Sequence, residues 1–322
     1  MRKFQNSVLT TTISSTADPV WTIPFPAVTI CNNIVVSKTG ADEIKAMLGR
    51  AGIPNEISEN YLHSLSRYIT HETRDIEANT ETYKNISSIL SKLGYNCDRV
   101  MYEVALPCEK QFILCQWKMN EENCSNLFYM IKTSRGYCCS FNAYDATTYQ
   151  HKYQGNTSKV VHFAGSAGKN SGLVVTMNVL RDQNFSSISP VYGFDVYIHD
   201  GQDYPDFSLF AKTILPSTSQ TISLTPSIID SNPSVRRIHP YDRGCRFDDE
   251  FKLGWSSKYN FQTCLNECKA NIIYSICKCI PYYYPNTDAV KTCDLDDMRC
   301  IKRNQKHFNN LVMADANDYG RW

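Results

Sequence analysis

The stretch Trp21-Thr-Ile-Pro-Phe-Pro-Ala-Val-Thr-Ile-Cys31-Asn-Asn33 decides how the rest of this 322-residue chain is read. Val28, Thr29 and Ile30 are β-branched and favour a pleated, half-buried surface. Pro24 and Pro26 each lack a backbone donor and fix φ. The residues leading into this strand therefore belong at a sheet edge or outside the sheet. Cys31 stands near the end of the strand, where it can tie it to a distant element. Taken alone, the stretch equally describes an edge strand of any secreted β-rich domain.

Composition narrows the class. Lys plus Arg number 33 against 32 Asp plus Glu, so no net field draws the chain to nucleic acid. Hydrophobic residues make up 42%, enough for a real core. Tyrosines, at 20, outnumber the 14 phenylalanines. A phenol can bury its ring and keep its hydroxyl wet, which suits an extracellular β-rich surface or interface. Fourteen cysteines point to an oxidising compartment. Four glycosylation sequons, at Asn85, Asn123, Asn156 and Asn184, agree with passage through the secretory route. Yet Met1-Arg-Lys-Phe-Gln-Asn-Ser-Val-Leu-Thr lacks the apolar core of a signal peptide. No stretch approaches the ~20 apolar residues that span a bilayer. Either this is a cytosolic metal-binding protein, or it is a piece whose export signal or anchor lies outside these residues; the second reading is favoured.

Periodicity lays out the elements. Residues 1–20 are rich in Ser and Thr and are expected to be extended or poorly ordered unless tied down. Helical spacing follows in Ala41–Leu48, stopped at Gly49, in Asn55–Thr70 and in Thr80–Leu93, closed by Gly94. The block 95–145 holds Cys97, Cys108, Cys115, Cys124, Cys138 and Cys139, with Cys31 available upstream. Pairs within it would close short loops, each stabilising by about 2–4 kcal/mol. Leu173–Leu180, Gly193–His199, Ile214-Leu and Thr221–Leu224 read as strands, with a loop at Asp200–Pro205. A helix is expected over Tyr259–Ile276, with Cys264 and Cys268 on one face. The polar tail 301–322 has helical potential.

Cysteine spacing argues against metal and thiol chemistry. Cys264, Cys268, Cys277, Cys279, Cys293 and Cys300 could hold zinc, but they fit no ribbon or finger and no His stands beside them. Cys138-Cys139 with His151 and His162 could suggest a thiol nucleophile, but in so cysteine-dense a chain they read better as staples. Gly165-Ser-Ala-Gly168 is too short for a phosphate loop, and Asp294-Leu-Asp-Asp297 reads as an acidic helix start. No enzyme activity, metal or cofactor is expected.

Five ordered blocks carry a family resemblance. They are Pro24–Asn32, Gly136-Tyr-Cys-Cys-Ser-Phe-Asn142, the segments Gly172–Asn178 and Gly193–His199, Arg243-Gly-Cys-Arg-Phe-Asp-Asp-Glu250, and the spaced set from Tyr259 through Cys264, Cys268, Cys277, Cys279, Pro281, Pro285 and Cys293 to Cys300. Together they resemble the extracellular region of degenerin/epithelial sodium channel subunits, the doubled cysteine being like that of the insect pickpocket branch. The resemblance implies an α+β fold. Its mainly antiparallel palm sheet would use residues near 21–36, 136–142, 172–180 and 193–199. Helical finger and knuckle insertions (finger about 41–135) and a disulfide-stapled helical thumb (about 245–322, truncated) would decorate it. Residues 1–20 would be the membrane-proximal linker after a missing first transmembrane helix, and 21–322 the extracellular domain.

The same resemblance implies disulfides Cys31–Cys138, Cys115–Cys124, Cys277–Cys300 and Cys279–Cys293. Cys245, Cys264 and Cys268 match family cysteines whose partners lie further downstream, while Cys97, Cys108 and Cys139 have no assignable equivalent. The implied function is an amiloride-sensitive, sodium-selective, stimulus-gated channel at the plasma membrane. Its subunits form a homo- or heterotrimer, with sodium and amiloride at a pore that lies outside these residues. Arg243 falls near the place of a tryptophan that acid-sensing relatives use to couple thumb to pore, so that coupling is not implied; nor is proton gating, because no carboxylate pair matches an acidic pocket by motif. The alternative is a secreted disulfide-rich binding module with every cysteine paired; an intracellular zinc protein is the other rival.

Overall fold

A computed structural model describes residues 9–70, 79–144, 160–205, 211–256, 258–286 and 290–309. Ten strands form three antiparallel sheets, and helices pack around them. In chain order the strands are β1 Ala27–Asn32, β2 Ile34–Ser37, β3 Phe112–Trp117, β4 Asn120–Glu122 and β5 Phe128–Thr133. They continue as β6 Gly136–Phe141, β7 Leu173–Met177, β8 Asn184–Ser187, β9 Phe194–His199 and β10 Lys212–Ile214. The main sheet has the order β10-β9-β1-β6-β5. All six residues of β1 are buried, so the quoted stretch becomes a central strand rather than an edge. Its prolines stay outside the ladder. Val20–Thr22 makes one 3-10 turn, and Pro24 forms only an isolated bridge to Phe163. β1 pairs with β9 from Ala27↔His199 to Asn32↔Phe194, and with β6 through Val28↔Phe141, Thr29↔Ser140 and Ile30↔Cys139.

Four longer helices cover this region: α1 Lys38–Arg50, α2 Asn55–Thr70, α3 Thr80–Lys92 and α4 Cys97–Val104. Ser37 caps α1 by accepting from the Gly40 amide at 3.1 Å. A Cβ at Gly40 would strike the Glu103 carbonyl oxygen, so glycine there allows α1 to cross α4 closely. α1 runs past the expected stop at Gly49 to Arg50; the left-handed residue is Gly52, at φ 85°. Gly94, at φ 81°, closes α3 as expected. A 17-residue helix, α5 Phe261–Cys277, starts at Asn260, whose side chain accepts from the Thr263 amide, and ends at Lys278 in the left-handed region. Residues Met298–Arg303 (α6) and Gln305–Asn309 are helical, and the rest of the expected helical tail lies outside the described residues.

Four expectations are corrected. The strand expected near 172–180 does not join the sheet of β1: β7 pairs with β3, in the separate sheet β4-β3-β7. Its residues alternate between half-buried and exposed, which fits a two-faced strand on a small sheet rather than one inside a covered sheet. The stretch 21–36 is also divided, because β2 leaves β1 at Asn33 and pairs with β8. Inside the span 41–135, expected to stand apart as an insertion, β5 is an integral strand of the main sheet. Finally, Thr221–Leu224 forms no strand. One continuous core joins the main sheet, α1–α4 and the Tyr282–Tyr284 segment that follows α5. Among the described residues, no helix is long and apolar enough to cross a membrane.

Candidate functional site

The chemistry of this chain is concentrated where β1 is locked and where the segment after α5 docks on the sheet. Adjacent residues of a strand project to opposite faces. Cys138 turns to the neighbouring strand and bonds Cys31, with Cα atoms 4.6 Å apart. Cys139 points away and bonds Cys108, in the helical turn Cys108–Gln111 before β3. The doubled cysteine thus joins β1, β6 and the lead into β3 at one point. The Thr133 hydroxyl lies 3.2 Å from the Cys138 sulfur and 3.9 Å from that of Cys31. Cys115 bonds Cys124, between β3 and the turn Cys124–Leu127.

Past α5, Cys277 bonds Cys300 and Cys279 bonds Cys293, a nested pair. The inner bridge accompanies a parallel pairing of Ile280 with Thr292. This stapled segment meets the sheet through aromatic rings. Tyr282 packs on Tyr68 of α2 at 5.5 Å between centroids and on Tyr137 of β6 at 6.5 Å. Tyr204, after β9, donates to the Tyr283 carbonyl at 3.2 Å and packs on Tyr284. The Tyr68 hydroxyl reaches the Cys293 carbonyl at 3.4 Å. Helical spacing puts Tyr68 or Ile69 on one face of the 55–70 helix with Ile57, Tyr61 and Leu65, but for Tyr204 and Tyr282 the only signals are the tyrosine count and the run Tyr282-Tyr-Tyr284.

Four thiols are free: Cys97, buried in α4; Cys245, exposed; and Cys264 and Cys268, half-exposed on α5. Burial pushes the Cys97 thiol well up, so it is no ready nucleophile. Cys138 and Cys139 are both consumed in disulfides, so no thiolate faces His162. That ring packs instead against Phe141 and Trp117, and burial lowers its pKa. His151 lies outside the described residues. Of the six cysteines that could have formed a zinc set, four are bonded in pairs. Asp294, Asp296 and Asp297 converge, but as a helix start. Asp294 and Asp297 form a reciprocal capping box, and Lys291 reaches Asp297 at 2.6 Å. Gly165–Gly168 forms a bend leading into a 3-10 turn at Lys169–Ser171.

Among the sequons, Asn85 is exposed on α3 and Asn123 is exposed, capping the turn at Cys124. Asn184 is half-buried; its Nδ2 donates to the Tyr192 hydroxyl and its Oδ1 is enclosed. Asn156 lies outside the described residues. Arg243 is buried and organises the turn before α5. It donates to the carbonyls of Cys245 and Ile238, pairs with Glu250 and lies over the Phe247 ring. An arginine so engaged is a structural hub of its own loop.

Two groups at the end of β9, buried His199 and half-buried Asp203 just after it, titrate in opposite senses. Burial pushes the Asp203 carboxyl up from 3.8 to about 7, with Asp200 adding like-charge repulsion. Burial pushes the His199 imidazole down from 6.5 to about 4, against the pull of the Asp200 and Asp203 backbone. Asp203 holds its proton in the fold where the unfolded chain has lost it. Its contribution to stability is present below about pH 4 and is lost as pH rises to 7, at up to about 1.4 kcal/mol per pH unit. His199 acts the other way, losing stability as pH falls from 6.5 to about 4. Asp203→Asn should therefore unfold at higher urea than wild type at pH 7, and the difference should vanish near pH 4. A difference that does not change with pH contradicts this assignment.

Comparison with known proteins places this arrangement. A family model described as "Amiloride-sensitive sodium channel" matches residues 1–319. Pickpocket protein 28 of Drosophila melanogaster is 26% identical over 320 residues, covering 90% of this chain and 49% of its own length. Sodium channel protein Nach of Drosophila ananassae is 22% identical over 322 residues, covering 96% of this chain and 57% of its own. Epithelial sodium channel subunit gamma of Xenopus laevis is 23% identical over 133 residues, 40% of this chain and 19% of its own. The chain spans roughly half the length of the insect relatives it matches.

Proposed function

The chain belongs to the amiloride-sensitive sodium channel family, among its insect pickpocket-like members, and from that premise we propose that residues 1–322 are extracellular and form the stimulus-sensing part of a channel subunit. The observation that carries this reading is the family match over 1–319, on a chain whose described residues hold five disulfides and no membrane-spanning helix. The membrane helices and pore of the subunit then lie outside these residues. Assembly is as a trimer of homologous subunits at the plasma membrane, with sodium and amiloride at the pore. Proteins of this family are channels rather than enzymes, in keeping with a site built of disulfides and rings.

On this reading the five-stranded sheet is the palm, residues from about 41 up to β5 supply the finger, and the segment from Cys245 onward, stapled by Cys277–Cys300 and Cys279–Cys293, is the thumb. Cys245, Cys264 and Cys268 await partners from further chain. Exposed Asn85 and Asn123 are the favourable glycosylation sites, and Asn184, held by Tyr192, is the poor one. The aromatic seam from Tyr68 through Tyr282 to Tyr204 is the route by which movement of the thumb reaches the sheet. A stimulus shifts gating only by binding the two arrangements of this seam unequally.

Whole-cell recording tests the proposal. Cells expressing residues 1–322 alone should carry no amiloride-blocked current, whereas the subunit made from its longest transcript, with its partner subunits, should carry one. Reproducible amiloride-blocked current from residues 1–322 alone overturns the reading.

A further inference from the structure

The turn that follows β4 carries the sequon Asn123-Cys-Ser125 on the wall of a cavity. Asn123 is exposed, and its Oδ1 accepts from the Ser125 amide at 3.0 Å. That leaves Nδ2, the atom that bears an N-linked sugar, with no hydrogen-bond partner among the described residues. Cys124, the middle residue of the sequon, is bonded to Cys115 of β3, so the asparagine is fixed beside the sheet. The cavity encloses about 450 Å³, within the 300–1,000 Å³ typical of small-molecule clefts. Two kinds of surface line it. Glu109, Glu121 and Glu122 supply carboxylate oxygens, and Ile113 and Leu114 of β3 supply apolar surface. Ile113 is 66% exposed, so the described chain does not cover that surface itself.

That mixture selects the occupant. Ionised carboxylates only accept, so the partner must bring donors, and the apolar wall asks for a partner with an apolar face. A metal ion fits poorly: among the described residues, these carboxylates do not gather closely enough to hold one. N-acetylglucosamine brings both features, since its hydroxyls and acetamide N–H donate while its ring face and acetyl methyl are apolar. A sugar linked to Asn123 is held beside the cavity by its own bond, so weak contacts suffice to seat it. Position adds a second reason. β4 is an end strand of the sheet β4-β3-β7, and Asn123 follows its last residue. A bulky, solubilising group there shields unpaired strand backbone from other chains. We propose that the N-linked glycan of Asn123 seats its first N-acetylglucosamine in this cavity, against Ile113, Glu109 and Glu121, as part of the folded surface rather than as a free branch. In the linking step Nδ2 bonds to the anomeric carbon of the sugar, that carbon parts from a lipid pyrophosphate carrier, and Nδ2 gives up a proton. The proposal rests on the extracellular part of the channel-subunit reading above.

Glycan release by peptide N-glycanase tests this, because the enzyme must reach the bond between sugar and asparagine. The subunit made from the longest transcript would be produced in mammalian cells and treated in heavy-oxygen water. Each released site then becomes a labelled aspartate that mass spectrometry reads peptide by peptide. At Asn123, release should be at least about 10-fold slower from the native subunit than from the denatured one, whereas Asn85, exposed on α3, should show a much smaller difference. Ile113→Ser, a change on the exposed wall, should remove most of the protection at Asn123 and leave release at Asn85 unchanged. Fast native release at Asn123, equal protection at both sites, or protection untouched by Ile113→Ser overturns the seating. A bare Asn123 beside a glycosylated Asn85 overturns it too. In all of these a glycan is present, so the extracellular reading stands; a glycan at neither site overturns both.

Discussion

Serine at both Cys31 and Cys138 should lower the unfolding free energy by about 2–5 kcal/mol, near the upper end of that range. The bond joins residues 107 apart in sequence, so in the chain-entropy account it removes far more freedom from the unfolded chain than Cys115–Cys124, separated by 9. It also sits between two central strands, at a point where Cys139 already anchors β6 to Cys108 on the other face. Without it the register Thr29↔Ser140 rests on the ladder and on the two buried 2.9 Å hydrogen bonds that the Thr29 hydroxyl shares with the Ser140 hydroxyl and the His199 ring. Replacing both cysteines avoids leaving a thiol that could exchange with the four free ones. Urea unfolding of the double variant beside Cys115→Ser/Cys124→Ser checks the ranking. Equal or smaller loss for the 31–138 pair would mean that the strand is held by something else.

Tyr282→Ala should cost about 3–5 kcal/mol, as for other buried aromatics cut back to a methyl. Its ring is 1% exposed and contacts Tyr68, Tyr137 and Tyr283, so truncation opens a cavity where α2, β6 and the stapled segment meet. The hydroxyl gives a control. It is buried with no hydrogen-bond partner among the described residues, so its desolvation is not compensated. Tyr282→Phe should therefore be neutral or slightly stabilising, unlike most losses of a phenol. If Tyr282→Phe proves as damaging as Tyr282→Ala, the hydroxyl has a partner and the seam is held by hydrogen bonding rather than by ring packing. If the proposed channel reading holds, Tyr282→Ala in the full subunit should also change gating more than surface level, because it cuts the contact between the stapled segment and the sheet.

How much of this was legible in the sequence depends on how local each cause is. The helices over 55–70 and 80–92 follow from apolar spacing, and Gly94 closes the second because it can take a positive φ. The strand nature of Val28–Ile30 is likewise local, but its central place is not: whether a strand lies inside or at an edge is decided by β6 and β9, more than 100 residues away. For the same reason Leu173–Met177 reads as a strand in the sequence, whereas its place beside β3 does not. Its alternating pattern specifies one covered face and cannot say which strand supplies the pairing. Thr221–Leu224 shows the converse, a strand pattern with no neighbour among the described residues to realise it. At the site, the doubled cysteine was visible, whereas its division between two partners needs the alternation of a strand and the nearness of Cys108. The tyrosine seam was invisible, because Tyr68, Tyr137, Tyr204 and Tyr282 meet only in the folded chain.

If residues 1–322 form an oxidised domain locked through β1, the intact mass of the exported chain shows it. The chain would be expressed behind an export signal, denatured without reductant, alkylated and weighed before and after removal of N-linked glycans. Of the fourteen cysteines, five disulfides account for ten and leave four, Cys97, Cys245, Cys264 and Cys268, to take the label. The account predicts four labels, a Cys31–Cys138 cross-linked peptide and a glycan at Asn85. Labelling of all fourteen cysteines without reductant, together with no glycan and retained zinc, would contradict it.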